Sequence, residues 1–546
     1  MVAPLITTVK SYPLALWAAL IAAAFRCTGL YPYAEGGGTE TVIGMVVSDD
    51  GSSAAQTMVE LLPSDFNPVT PGSPGYETRV MTNDSGAYIF KNVPEGAYTL
   101  QAVQRNKNTR SLKTGIIVTK DNVPTLVDTL QATGAVTVEL PGSIDPAGGY
   151  VYFPGTSIAV TDVNSTIPVT LDSVPSGTLP AIIYGVKNDT SPRAIRYRVR
   201  VSSGDTTMVK NLAWRYARRH YLNTTASGAQ VNGSVERFPV LIRLTKKNFN
   251  FSEAGANGED IRFRKSDDTP MPYEIERWDP VTELAEVWVT VDTIYGNSAG
   301  HFFFMYWGNT DAKDSANGAS VFDTAAGFAG VWHLGLPAGL IVPDATANGN
   351  YGTATATTTV AGAVGMAQAF DGTSSFIRAS GPAGDKLNFP ENGTFSVSAW
   401  VKTNVLDSVF HGIVYKSNFQ YGLQMRPKNK WEFCTYIDKT RWEMSHSPAE
   451  DNSWHALTGV RDGSKQYLYV DGVCADSSIA VLQTNIARAY DQPLEIGHCP
   501  DGGTDPDRYF NGRIDEVRVS KIAYGPDWIK LNYMNQKEAD ALVVFK

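Results

Sequence analysis

The chain has 546 residues, a formal net charge of −9 and 43% hydrophobic residues. It can therefore build real cores, and at roughly 100–200 residues per domain it holds three to five of them. The negative balance, with no basic stripe to displace counterions from phosphates, excludes a nucleic-acid partner. With 49 Gly, 30 Pro and abundant Thr, Ser and Val, strands and tight turns dominate, so the expected fold class is all-β and multi-domain.

At the N-terminus, Lys10 precedes an apolar run from Tyr12 to Phe25, and the polar, Gly-rich stretch Glu35–Gly38 follows. The run is shorter than the ~20 residues that cross a bilayer. Residues 1–27 are therefore read as an export signal peptide and 28–40 as a linker. Cys27 sits just past the run, where bacterial lipoproteins carry their lipidated cysteine, although Arg26 stands where a small residue is expected. Two readings stay open, a lipid anchor on Cys27 or soluble secretion. A membrane partner enters only through that lipid. The expected location is secreted or cell-surface.

Residues 31–213 contain no tryptophan, whereas 214–546 contain ten of the chain's eleven. That break marks a domain boundary. Within the tryptophan-free half, Thr41–Val47, Met58–Leu62, Thr82–Phe90 and Val93–Ala102 read as successive strands. Gly86 and Gly96 supply turn freedom, and Tyr88 and Tyr98 are expected to alternate into a core. The turn Asp84-Ser85-Gly86, followed by Phe90, Val93, Pro94, Gly96 and Tyr98, resembles the carboxypeptidase regulatory-like (transthyretin-like) β-sandwich. The resemblance covers 41–133 and implies a spacer or interaction module without catalytic residues. Residues 134–210 read as a second small β-sandwich, with strands Val136–Leu140 and Ala194–Val201. Its Val174-Pro175-Ser176-Gly177 faintly echoes Val93–Gly96.

Strand patterns continue through Phe238–Leu244, Gly258–Phe263, Met271–Asp279, Ala285–Val291 and Phe304–Asn309. Together they resemble the bacterial domain of unknown function 2341, a β-rich module that commonly precedes laminin-G-like domains and has no settled activity; the module is assigned to 211–325. Asp260, Glu274, Glu276 and Asp279 invite a catalytic reading. Alternation puts Glu274 and Glu276 on one face with Trp278, and paired carboxylates beside an aromatic, roughly 5–10 Å apart, suit a glycosidase acid and base. The preferred reading is plainer: a solvated strand face with Glu276 near an arginine, which is routine in antiparallel sheets.

The last module, 326–546, carries the clearest pattern. Phe395, Val397, Ala399 and Val401 share one strand face, and Gln466–Val470 runs into the turn dipeptide Asp471-Gly472. Gly330–Leu334, Ala369–Gly372, Phe395–Val401, Trp454–Leu457, Leu468–Gly472 and Gly512–Val519 resemble, in order, the laminin-G/pentraxin-like group of concanavalin A-type jelly rolls. The resemblance implies a C-terminal concanavalin A-like jelly roll, a fold that carries lectins, adhesion modules and glycosidases alike. Glycosidases on it place carboxylates in an E-x-D-x-x-E strand, and none is found here. Asp515 and Glu516 are consecutive and point to opposite faces. Neither a nucleophile elbow nor a phosphate-cradling Gly loop occurs. No catalytic residue is assigned, and the chain is expected not to be an enzyme.

Alternation places Asp515 with Val517 and Val519 on the buried face, and Glu516 with Ile514 and Arg518. A buried carboxylate needs donors or a cation. The resemblance implies Ca²⁺ as a possible cofactor, with Asp344, Asn348, Asn350, Asp371 and Asp515 as oxygen ligands. The alternative is that Asp515 accepts backbone N–H groups and Asp371 caps its own turn. Trp400 and Trp454 are assigned to the core. Trp431 and Trp442, flanked by Lys430, Glu432, Arg441 and Glu443, are expected at the surface, and with Tyr421 and Tyr436 they form the candidate glycan platform. Cys434, Cys474 and Cys499 lie here too, and Cys474 and Cys499 could pair. The absence of CxxC and of ligand-like histidine spacing argues against zinc.

The resulting expectation is an exported bacterial binding protein. Small sandwiches form a stalk, and a lectin-like head recognises polysaccharide. The alternatives are a protein-binding adhesion or structural envelope protein, a polysaccharide-degrading enzyme using 211–325, or an accessory of envelope transport.

Overall fold

The computed structural model describes residues 39–69, 76–119, 125–140, 149–163, 168–186, 194–210, 212–266, 268–335, 341–379, 386–389, 393–405, 409–416, 420–426, 430–437, 440–446, 452–463, 465–479, 492–500 and 508–545. The expected signal peptide, Cys27 and most of the 28–40 linker lie outside these residues. Among the described residues no helix is long and apolar enough to cross a membrane. The chain is all-β and multi-domain, and it divides into two compact units, 1–216 and 217–546.

The first unit holds two small sandwiches. In the first, Thr39–Val47 lies between Ala87–Pro94 and Thr125–Thr129. The facing sheet runs Arg79–Met81, Met58–Pro63, Gly96–Gln104, Thr109–Val118, Gln131–Ala132. Val42, Val46, Leu61, Phe90, Leu100 and Val118 fill the space between, and Tyr88 and Tyr98 are buried with them as expected. Gly86 (φ +78°) makes the hairpin possible, since a Cβ there would lie 2.3 Å from the Val46 carbonyl oxygen. In the second sandwich, a sheet ordered Ala159–Val163, Gly149–Tyr152, Gly177–Val186, Ala194–Val201 packs on Val169–Val174, Gly134–Val138 and Thr206–Val209. Buried Glu60 ties the two together, accepting from Ser157 Oγ at 2.8 Å as well as from Arg79 and Gln101.

The second unit contains the expected 211–325 module from residue 217 onward together with the jelly roll, as one body. The module has a three-stranded sheet, Val235–Thr245, Leu284–Ile294, Tyr273–Asp279, and a five-stranded one, Pro270–Met271, Arg262–Lys265, His301–Trp307, Tyr216–Leu222, Val543–Phe545. Its last strand comes from the far end of the chain: His220 pairs with Phe545 and Leu222 with Val543. Among the described residues the jelly roll is two eight-stranded sheets. Phe395, Val397, Ala399, Val401, Leu423, Phe433, Leu468, Val517 and Val519 lie in the core between them, and Phe389 stacks on Phe395 at 4.6 Å. Asp471 (φ +51°) and Gly472 (φ +79°) form the expected positive-φ turn.

The helix Pro526–Gln536 opens with Pro at its first turn and is buried on two sides. Towards the jelly roll, Trp400 stacks on Tyr533 and donates from Nε1 to Gln536 Oε1 at 2.6 Å. Towards the module, Asn535 accepts from Leu241 N at 2.7 Å and donates to Leu241 O at 3.0 Å. Trp400 is thus buried as expected, but beneath this helix; Trp454 is half-buried rather than core. No disulfide joins Cys474 to Cys499, since the first is exposed and the second buried.

His220 packs among Phe303, Phe545 and Phe263. Burial, reinforced by Arg218, lowers its pKa from 6.5 to about 3. The unfolded chain therefore binds more protons between those two values, and the neutral folded form loses stability as pH falls from 6.5 towards 3. The slope is up to about 1.4 kcal/mol per pH unit. His220→Phe should flatten the acid side of the stability–pH curve of the second unit in that window while leaving neutral-pH stability nearly unchanged. Equal slopes for both proteins in denaturant titrations would contradict this.

Candidate functional site

The expected aromatic platform does not assemble. Trp431 and Tyr421 are each 1% exposed and belong to the jelly-roll core, where Tyr421 donates from its hydroxyl to Leu387 O at 2.9 Å. This corrects their assignment as surface ligands. The physical reason is the strand period: Lys430 and Glu432 flank Trp431 in sequence, but strand neighbours point to opposite faces, so their charge says nothing about its exposure. Trp442 and Tyr436 are described by backbone alone, paired with Thr435 and Arg441 in the hairpin of Lys430–Ile437 and Thr440–His446. Their side chains lie outside the described residues.

The proposed calcium ligands do not converge into one site among the described residues. Asp344 accepts from Val331 N, Thr346 N and Asn350 N at 3.1, 3.0 and 2.8 Å, and from Thr346 Oγ1 at 2.9 Å. Asn348 and Asn350 both donate to Ala329 O. Asp371 caps its own turn, accepting from Thr373, Ser374 and Ser375 N. Asp515 accepts from Val364 N at 2.9 Å and Glu516 N at 2.8 Å. Backbone donors thus occupy carboxylate oxygens of Asp344, Asp371 and Asp515, whereas the buried Asn350 Oδ1 has no hydrogen-bond partner among the described residues.

A different constellation forms where the module covers the jelly roll. In the strand Asn511–Ser520, Glu516 adopts φ +48° and the register against Phe395–Lys402 shifts between Ser398 and Trp400. This bulge sets two residues against one and resets the alternation. Ile514, Val517 and Val519 enter the core, while Asp515 is not on their face. The expected grouping of Asp515 with Val517 and Val519 is corrected accordingly, although Asp515 is fully buried. The three-stranded sheet of the module lies over this face.

Glu274 and Glu276, on Tyr273–Asp279, meet His333 and Glu516 there. His333 Nδ1 is 2.6 Å from Glu516 Oε1 and 3.6 Å from Glu276 Oε2, and its Nε2 is 3.4 Å from Glu274 Oε2. Trp288 Nε1 donates to Glu276 Oε2 at 2.8 Å, and Arg518 Nη2 to Glu516 Oε2 at 2.7 Å. The Arg518 guanidinium lies 4.5 Å from the Trp288 ring, on which His333 also stacks. Arg277 clamps Glu286 with two bonds of 2.6 and 2.7 Å. Glycines let the covering turn close in: a Cβ at Gly362 would lie 2.4 Å from Asp515 Oδ2, and one at Gly365 2.6 Å from Glu276 Oε1. Glu274 and Glu276 are therefore neither on a solvated face nor in an open sugar groove.

Burial raises the carboxyl pKa of Glu276 and of Asp515, which neighbouring Glu516 raises further. Burial also opposes ionisation of Glu516, but His333 and Arg518 outweigh it and hold its pKa below the ordinary value. For His333 burial works against the charge, and Glu516, Glu274 and Glu276 overcome it. Sequence reasoning did not anticipate this group. His333, Glu516 and the Glu274/Glu276 pair sit on three separate stretches, and no local spacing links them.

Asp515→Ala removes the acceptor of two buried backbone N–H groups and should cost about 1–3 kcal/mol. The melting temperature of the second unit should fall, while added Ca²⁺ should leave the wild type unchanged. A Ca²⁺-dependent rise in wild-type melting that Asp515→Ala abolishes would instead favour calcium as the partner of Asp515.

Comparison with known proteins bears on the two modules. Residues 371–530 match the concanavalin A-like lectin/glucanases superfamily. Residues 257–334 match the domain of unknown function DUF2341. A comparison with curated protein sequences gave no match. Among solved structures, the binding domain of Paraclostridial Mosquitocidal Protein 1 is 14% identical with a TM-score of 0.33, over 38% of this chain and 52% of that one. This chain thus spans about half its length. Domain 4 of AbnA, a GH43 extracellular arabinanase from Geobacillus stearothermophilus in complex with arabinotriose, is 20% identical with a TM-score of 0.31, over 37% of this chain and 97% of that one. The botulinum neurotoxin serotype D ligand-binding domain in complex with N-acetylneuraminic acid is 12% identical with a TM-score of 0.31, over 38% and 51%. At these TM-scores the structural likenesses carry no argument about what this chain binds. The two family matches do fix the make-up of the second unit: the chain carries a DUF2341 domain followed by a domain of the concanavalin A-like lectin/glucanase superfamily.

Proposed function

We propose that this chain is an exported glycan-binding protein whose C-terminal concanavalin A-like domain holds a polysaccharide. The observation that carries this reading is the match of residues 371–530 to a superfamily of lectins and glucanases, on a two-sheet jelly roll. Binding is favoured over hydrolysis because the side chains of Glu276, Asp515 and Glu516 are buried and engaged by neighbouring donors, and partly exposed Glu274 faces His333 rather than an open groove. With Trp431 and Tyr421 in the core, Trp442 and Tyr436 are the aromatics left from the platform. The first unit serves as a spacer, and a lipid on Cys27 is the proposed anchor.

The test is a pull-down of the full chain with a panel of plant cell-wall polysaccharides. Wild type should bind weakly and Trp442→Ala several-fold less. Trp431→Ala should instead destabilise the fold by about 3–5 kcal/mol, as expected for a core aromatic. Absence of binding to every polymer would sink the glycan reading in favour of a protein ligand. The anchor is checked separately: labelled palmitate should tag wild type and not Cys27→Ser, and cleavage mapped elsewhere by N-terminal sequencing would remove it.

A further inference from the structure

The buried centre between module and jelly roll has a feature that glycan binding does not use. A carboxylate oxygen of Glu276, Nδ1 of His333 and a carboxylate oxygen of Glu516 all lie within 4.8 Å of one another. We propose that these three residues bind a divalent transition-metal ion, with Zn²⁺ the first candidate, which clips the DUF2341 module to the jelly roll.

The surrounding groups are arranged as supports for such ligands. Nε2 of His333 faces Glu274 Oε2 at 3.4 Å. With the ring proton on Nε2, that carboxylate accepts it and the Nδ1 lone pair faces the two glutamates. Metal-bound histidines are typically oriented this way, with the second nitrogen donating to a carboxylate. Each carboxylate ligand also has its own donor, Trp288 Nε1 for Glu276 and Arg518 Nη2 for Glu516. Without an ion, Nδ1 of His333 reaches Glu516 at 2.6 Å while Glu276 stands at 3.6 Å. A divalent ion between them would be shared by both carboxylates and the imidazole, so one bound ion would join all three chain segments.

The donor set selects the ion. One imidazole and two carboxylates, with no thiolate, suit Zn²⁺ or Mn²⁺ better than Ca²⁺, which takes six to eight oxygens. Ligands about 2.0–2.2 Å from an ion stand roughly 3–3.5 Å from each other. The separation of 3.6 Å is close to that range, Glu516 Oε1 has to withdraw from its 2.6 Å contact by less than an ångström, and all three atoms lie within 4.8 Å of one another. Access is available on the side where the His333 and Glu274 side chains keep 13% and 18% of their exposure.

The experiment is to strip the full chain with a strong chelator and titrate it with ZnCl₂, CoCl₂ and MnCl₂. Bound metal is read by calorimetry and mass spectrometry, and the melting temperature is followed in parallel. One equivalent of Zn²⁺ should bind and raise the melting temperature, and Co²⁺ should give a visible absorption that Zn²⁺ abolishes. Glu276→Gln and His333→Gln should lose this equivalent, and Glu274→Gln should weaken it by about tenfold through the His333 tautomer. Should a ligand variant fail to fold, the wild-type titration and folded Glu274→Gln decide. The proposal is overturned if stripped wild type binds none of the three ions, or if bound Zn²⁺ persists unchanged in Glu276→Gln or in Glu274→Gln.

Discussion

The bulge at Asp515–Glu516 is the constraint on which the second unit depends. An unbroken Asn511–Ser520 strand would place Asp515 on the same face as Val517 and Val519. By setting two residues opposite Ala399, with Glu516 at φ +48°, the bulge keeps Ile514, Val517 and Val519 in the core and frees Asp515 and Arg518 for the opposite face. That face is not wet, because the Val235–Thr245, Leu284–Ile294, Tyr273–Asp279 sheet covers it. Glu274, Glu276, Glu286, Asp515 and Glu516 consequently meet His333, Arg243, Arg277 and Arg518 in a largely buried layer that opens to solvent on the side of Glu274, His333 and Arg277. Charges in such a place hold together only as a set, since removing one partner strands another.

The same face explains why the two matched domains are one body rather than successive beads. Residues from the end of the chain complete the module: Val543–Phe545 adds a strand beside Tyr216–Leu222, and Asn535 fastens the helix to both backbone groups of Leu241. Arg243 reaches the carbonyls of Asn535, Gln536 and Ala363. The helix has polar and aromatic groups on both sides because both sides are interfaces. Trp400 and Gln536 meet on one, Asn535 and Leu241 on the other.

The aromatic residues show how far a sequence pattern extends towards function. Flanking charge suggested exposure for Trp431, but Glu432 beside it is itself buried, on the outer face of the sheet, with Gln424 donating to it at 2.6 Å. Charged neighbours in a strand report on the other face, and in a molecule with covered outer faces they do not report solvent either. The ligand surface of the jelly roll must therefore be sought outside its large buried rings.

The sequence by itself determined the class of each element. Period-two runs such as Phe395–Val401, the Asp471-Gly472 and Gly86 turns, and the inward Tyr88 and Tyr98 all stand where the pattern put them, because side-chain alternation and positive φ are local properties of a few adjacent residues. What the tertiary structure alone decided is which outer faces are covered. His333 stands 59 residues from Glu274 and 183 from Glu516, and no periodicity spans such distances. Their meeting follows from a bulge of one residue and from the docking of one sheet on another, and both are settled by the fit of whole surfaces rather than by any local run of residues.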